Sequence, residues 1–215
     1  MLELKTYTYS GLAEILNCRS KQALERKLDS YNIQYFSEGN RLPNVNYTIT
    51  KIEDPFRVYS VFYLGFDVHT DFSKLRHFLY HYFCDDYFMS MPDEVKEAWM
   101  RKYEKPISRQ TITKYEETLE KLGYVHTLLD EFIYYFAYKG EQEFTDRKTY
   151  NEAWKHYWED RKEDKSSGEA IFNMIANYGG YARKQAVQTK NALCADEINY
   201  LISLITDNLE SDLQK

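Results

Sequence analysis

The stretch Ile107–Tyr124, ISRQTITKYEETLEKLGY, constrains this chain more than any other. Ile112, Tyr115, Leu119 and Leu122 recur at steps of three and four residues, which makes one apolar stripe of a helix. Ser108 suits the start of that helix, because its side-chain oxygen can accept an orphan backbone N–H. Gly123 suits its end, where a left-handed residue is needed. Arg109, Gln110, Thr113 and Lys114 fall off the stripe, near the N-terminal end. Side chains of these types reach phosphates and base edges, and the N-terminal end of such a helix is the part that enters a major groove. The pattern predicts the recognition helix of a winged helix-turn-helix, running out into its wing. An ordinary amphipathic surface helix would carry the same stripe.

A chain of 215 residues can bury a sizeable core and form one or two domains. Hydrophobic residues make up 43% and aromatics 17%, so the composition is not that of a disordered chain. Tyr occurs 21 times, heavy use of a side chain that both packs and hydrogen-bonds. The net charge of −6 argues against a general nucleic-acid coat, since non-specific affinity comes from neutralised phosphates, but it leaves room for local basic patches. No stretch approaches the roughly 20 apolar residues of a membrane span. The opening MLELKTYTYSGL has no basic region followed by an apolar run, so no secretion signal is expected. Cys18, Cys84 and Cys194 are few, odd in number and far apart, which fits a reducing cytoplasm better than a disulfide framework.

Three segments are expected. Residues 1–58 read as a small winged-helix-like unit: a strand at Lys5–Tyr9, a helix at Gly11–Leu16 capped by Ser10, and a turn at Asn17-Cys18-Arg19. A second helix, capped by Ser20, runs from Lys21 to about Tyr31, and a hairpin of Ile33–Phe36 and Val45–Ile52 turns at Ser37-Glu38-Gly39-Asn40. Residues 59–162 read as a second winged-helix unit. It holds helices at 72–83 and 93–103, the helix of 108–122, a wing from strands at 132–138 and 142–145 about Lys139-Gly140-Glu141, and a helix at 149–161 carrying Trp154 and Trp158. These indoles share one helix face, and large aromatics at that spacing predict core. RKEDKSSGE, residues 161–169, is the best linker. Residues 169–215 read as a C-terminal helical segment, with helices at 169–177, 182–193 and 196–209. The expected class is therefore α+β, mainly α with small β-hairpin wings.

The N-terminal opening TYTYSGLAEIL and the later strand YTITKIEDPF resemble a module recurrent in proteins of Gram-positive bacteria and their mobile elements, where such an opening leads into a helix. The resemblance covers roughly a quarter of the chain. It implies a winged helix-turn-helix protein of a phage, plasmid or integrative element, and DNA binding.

Two local patches depart from the acidic total. Residues 101–115 hold five bases (Arg101, Lys102, Lys105, Arg109, Lys114) against one acid, Glu104. Residues 176–195 hold Arg183, Lys184 and Lys190 and no acid. Bases at a helix N-terminus oppose the helix dipole, which is easier to justify if an anion is met there. Arg19, Lys21, Gln22, Arg26 and Lys27 sit on or before the second helix, where Glu25 and Asp29 interrupt them, so that face suits DNA or a protein equally. His77, His81 and Cys84 have metal-ligand spacing on one helix face, but the surrounding aromatics favour packing and no second His/Cys cluster joins them. No phosphate-loop, dinucleotide or nucleophile-elbow motif is present, and the acidic pairs Asp85-Asp86 and Glu53-Asp54 stand alone, so no enzyme, metal or cofactor is expected.

The expectation is a cytoplasmic protein that binds duplex DNA in transcription control or replication of a mobile element. Arg109, Gln110, Thr113 and Lys114 would meet the groove, Arg101, Lys102 and Lys105 the phosphates, and Arg183 and Lys184 would form a further basic site. A homodimer through the C-terminal helices would match two-fold DNA sites. The rival is an inhibitor of host defence, of the anti-CRISPR kind, that binds a nucleic-acid-binding host protein. Its acids Glu116, Glu117, Glu120, Glu159, Asp160, Glu163 and Asp164 would imitate phosphates.

Overall fold

The computed structural model describes residues 2–39, 42–85, 87–139 and 141–213. Asn40, Gly140 and Asp86, named above in two turns and an acidic pair, lie outside the described residues. The class is α+β, with two three-stranded antiparallel sheets among the described residues. The chain divides into two compact units, one of residues 1–72 with 203–215, the other of residues 73–202. Residues 59–72 thus group with the first unit and 169–202 with the second, so the units do not divide at 58 and 162.

In the first unit β1 (Thr6–Thr8) leads into α1 (Tyr9–Ile15). The cap is Thr8, not Ser10: its extended backbone turns the hydroxyl onto the Gly11 N–H at 3.2 Å. α2 (Lys21–Ser30) begins after Ser20, whose hydroxyl accepts from the Ala23 N–H at 3.2 Å. β2 (Ile33–Glu38) and β3 (Asn46–Ile52) form the hairpin, and β3 also pairs with β1, so the strand order is β1-β3-β2. α3 (Pro55–Phe62) follows, capped by Asp54 and opened by Pro55, which needs no N–H there. Leu12, Leu16, Leu24 and Leu28 from the helices meet Tyr47 and Ile49 from β3 in one core that Val58 of α3 completes.

The second unit holds α4 (Phe72–Cys84, from Ser73 on), α5 (Asp93–Lys102) and α6 (Arg109–Lys121). Ser108 caps α6 by accepting from the Thr111 N–H, and Gly123 follows it at φ 71°. Next come β4 (Val125–Tyr138) and β5 (Glu141–Thr145), the helical hairpin α7 (Arg147–Lys162) and α8 (Ser167–Tyr178), and β6 (Tyr181–Lys190). β4 is central, in the order β5-β4-β6.

Three expectations change here. Residues 182–193 were expected as a helix; 181–190 are a strand, because β4 offers a partner from Val125 to Ala137 whose ladder outweighs the weak helical preference. The stretch 161–169 is no domain linker. Asp160 binds Lys165 at 2.6 Å and Asn173 at 2.7 Å, and the Ser166/Glu169 capping box closes a tight turn between packed helices. Trp154 is half-buried against Phe136, Ala153 and Met174, whereas Trp158 is 58% exposed, so a shared face did not make both indoles core. The C-terminal helix α9 (Ala195–Leu213) already buries Ile198, Leu201, Leu204 and Ile205, and a dimer seam would have to use other residues.

Gly179, at φ 77°, ends α8, and Gly180 brings β6 against β4. A Cβ on Gly180 would stand 2.7 Å from the Ala137 nitrogen and 2.9 Å from its carbonyl carbon. These are backbone atoms that cannot rotate away, so Gly180→Ala is expected to cost about 1–3 kcal/mol in chemical denaturation. An unchanged midpoint would mean that β6 slides freely on β4.

Candidate nucleic-acid interface

In the first unit α1 and α2 are joined by a short turn. Its backbone is fixed by the Cys18 N–H donating to the Ala13 carbonyl at 2.8 Å and by Asn17 at φ 49°. Lys27 donates to the Leu16 carbonyl at 2.7 Å and so satisfies an end of α1 with a cation, as the helix dipole prefers. Lys21 lies 3.6 Å from Glu25, and Glu25 accepts from the Tyr47 hydroxyl at 3.2 Å. Burial, aided by the Glu25 charge, holds the Tyr47 phenol well above its usual range, so it stays a donor. Lys21, Glu25 and Lys27 are thus committed to the unit itself. Arg19, Gln22 and Arg26 are exposed on the start and first turns of α2. On the hairpin beside them in sequence, Phe36 of β2 is 69% exposed.

In the second unit the N-terminal end of α6 is exposed, but its Arg109 and Thr113 side chains are drawn to carboxylates of α5. It lies against the acidic first turns of α5. Arg109 places Nε 3.0 Å from Glu97 and Nη1 3.2 Å from Glu94. The Thr113 hydroxyl donates to Asp93 at 2.9 Å. Arg101 also reaches Glu97, at 3.5 Å. From β6, Arg183 comes within 3.6 Å of the other Glu94 oxygen, so Glu94 joins the two basic patches that sequence placed 74 positions apart (183 − 109). The remaining named bases have other surroundings. Lys105 donates to the Ser73 hydroxyl at 2.9 Å, Lys102 stands over the Trp99 ring at 5.9 Å, and Lys184 over the Phe132 ring at 4.6 Å. Gln110 and Lys114 are exposed. A phosphate approaching Arg109 would therefore also meet three carboxylates. Those acids were legible twelve to twenty positions upstream, where Asp93 and Glu94 occupy the helix start that favours negative charge.

The acids named above are also partly committed. Glu116 is half-buried in an ion pair with Lys96, whose own side chain is buried, with Nζ 5.5 Å from the Tyr82 ring centroid. Burial pushes the Glu116 carboxyl above the ordinary carboxylate range against the pull of Lys96. Asp160 is held by Lys165 and Asn173, which draw its carboxyl below that range. Glu117, Glu120 and Glu159 remain exposed. His81, raised above as a metal ligand, directs Nδ1 to Asp85 at 2.5 Å and packs its ring on Tyr103 at 4.6 Å, while Cys84 is exposed. Among the described residues no group of three His, Cys, Asp or Glu is arranged to hold a metal ion, and no helix is long and apolar enough to cross a membrane. Comparison with known proteins returns no match, whether to protein-family models, to curated proteins or to solved structures.

Proposed function

We propose that this chain binds duplex DNA through its N-terminal unit, used as a winged helix with α2 as the reading helix. The observation that supports the reading is the order β1-α1-α2-β2-β3 with β3 central, which is compatible with a short helix-turn-helix followed by a hairpin wing. Ser20 caps α2 through the Ala23 N–H, and Arg19, Gln22 and Arg26 are exposed before and along its first two turns. Arginine and glutamine are the side chains suited to guanine and adenine edges and to phosphates. The resemblance of TYTYSGLAEIL and YTITKIEDPF to modules of Gram-positive mobile elements supports a cytoplasmic role in their transcription control or replication. In the second unit, Gln110, Lys114 and Lys184 would add weaker backbone contacts, and Arg109 little, since it would have to leave Glu94 and Glu97.

The test is anisotropy of a labelled random duplex at rising salt. Arg19→Ala and Arg26→Ala should each weaken binding, and each lost phosphate contact should lower the salt slope by about one. Arg109→Ala should change affinity far less. Absence of duplex binding, or identical slopes for wild type and the Arg19/Arg26 double variant, overturns the proposal. If Glu117 and Glu120 prove essential to activity instead, a protein partner replaces DNA.

A further inference from the structure

The sheet of the first unit ends on β2, which pairs with β3 alone. In an antiparallel ladder every second residue of an edge strand points its N–H and C=O away from the partner. Among the described residues, Ile33 to Glu38 make no backbone–backbone hydrogen bond outside that ladder. A shallow groove of about 910 Å³ follows this edge, lined by each residue from Ile33 to Ser37. Its two sides differ. Ile33 and Tyr35 share the core face with Tyr47 and Ile49, and on that side Asp29 of α2 lines the groove. Gln34 and Phe36 point to the opposite face, where Phe36 is 69% exposed. Asp29 is exposed in the last turn of α2, where the helix dipole disfavours an acid, and among the described residues it forms no ion pair. Burial, with the charges of Asp29 and Glu25, holds the Tyr35 phenol above its usual range, so the negative field reaches the strand. Glu53 also lines the groove but is met by Lys51 at 2.7 Å and Gln34 at 3.3 Å. Among the described residues no lysine or arginine lines it.

We propose that β2 takes up, as a further strand, an extended segment of a partner protein in which basic and apolar side chains alternate. Side chains of an added strand point in turn to the two faces of the sheet. On the helix side they meet Asp29, which favours a positive charge. On the outer side they lie beside Phe36, which favours an apolar group. The open backbone supplies affinity and the alternation supplies selectivity. A second copy of the chain fits this edge less well. Two-fold pairing of β2 with itself brings Glu38 of one copy toward Asp29 of the other, like charge against like. The groove adjoins the C-terminal end of α2, whereas Arg19 and Gln22 stand at its start, so peptide and duplex use different residues.

The experiment titrates the whole chain into a dye-labelled peptide of about eight residues in which lysine and valine alternate. This peptide should bind, and one in which glutamate and valine alternate should not. Methylation of all its backbone nitrogens keeps the charge but removes every donor, and should weaken binding about tenfold or more. Phe36→Ala, at an exposed side chain and hence safe for folding, should weaken it about tenfold. Asp29→Asn should weaken it about two- to fivefold, and less at high salt. Arg19→Ala should leave the peptide titration unchanged, and Phe36→Ala should leave duplex binding unchanged, which separates this edge from reading by α2. No binding of the lysine–valine peptide, equal binding of the glutamate–valine or methylated peptide, or affinity within twofold of wild type in Phe36→Ala overturns the proposal. A dimer in sedimentation that Phe36→Ala dissolves would give the edge to a second copy, and duplex binding lost in Phe36→Ala would give it to the DNA wing. Either result overturns the proposal as well.

Discussion

Replacing Lys96 by alanine is expected to lower the unfolding free energy by about 3–5 kcal/mol, the usual consequence of stranding one member of a buried ion pair. Lys96 is 1% exposed, donates to Glu116 across the α5–α6 contact and lies over the Tyr82 ring. Without it the Glu116 carboxylate has no countercharge in a site already dry enough to raise its carboxyl, and the group would have to take up a proton or pull the helices apart. The Tyr82 hydroxyl, buried without a partner, offers no compensation in the present packing. The decisive comparison is Lys96→Met with Glu116→Leu. That double change removes both charges, keeps the volume and should sit close to wild type, because buried pairs seldom outperform well-packed apolar residues. Urea denaturation of the two variants settles the point. A loss under 1 kcal/mol for Lys96→Ala would show that Glu116 reaches water by a small movement.

Leu24→Ala should be the most damaging single change in the first unit, at about 2–5 kcal/mol. Leu24 is fully buried on α2, among Leu12, Leu16, Leu28, Tyr47 and Ile49. The cost combines lost apolar burial with a cavity that a small domain closes poorly. For a unit of this size the loss corresponds to a fall of roughly 10 °C or more in its calorimetric transition. The second unit's transition should stay in place. Duplex binding should then disappear at temperatures where the second unit is still folded. Parallel loss of both transitions would mean that the two units melt as one.

Much of the local structure was written in the sequence. Ser108 and Gly123 bracket α6 because capping and the left-handed stop depend only on neighbours. The succession of elements from β1 to β3 was equally plain, since these strands and helices differ sharply in periodicity, whereas α3 was not read. What escaped was what depends on distant partners. Residues Ala182 to Lys190 contain no β-rich run, and they become a strand only because β4 lies alongside, 46 to 65 positions earlier in the chain. Lys96 looks like any surface lysine of DEVKEAWMRK until Glu116 is placed beside it. Arg109 and Thr113 looked ready for DNA for the same reason: their acidic partners on α5 belong to another helix. Trp158 shows the converse, since sharing a face with Trp154 says nothing about how far the neighbouring helix extends to cover it.

The grouping of residues 203–215 with residues 1–72 bears on how the protein is made. During synthesis residues 1–72 precede the rest of their unit, residues 203–215, which include the buried Leu204 and Ile205. Residues 73–202 are complete before that piece leaves the ribosome. Domains otherwise tend to fold in the order they are made, at about 5–20 residues per second. Here a unit whose larger part is made before residues 73–202 cannot complete its contacts until after them.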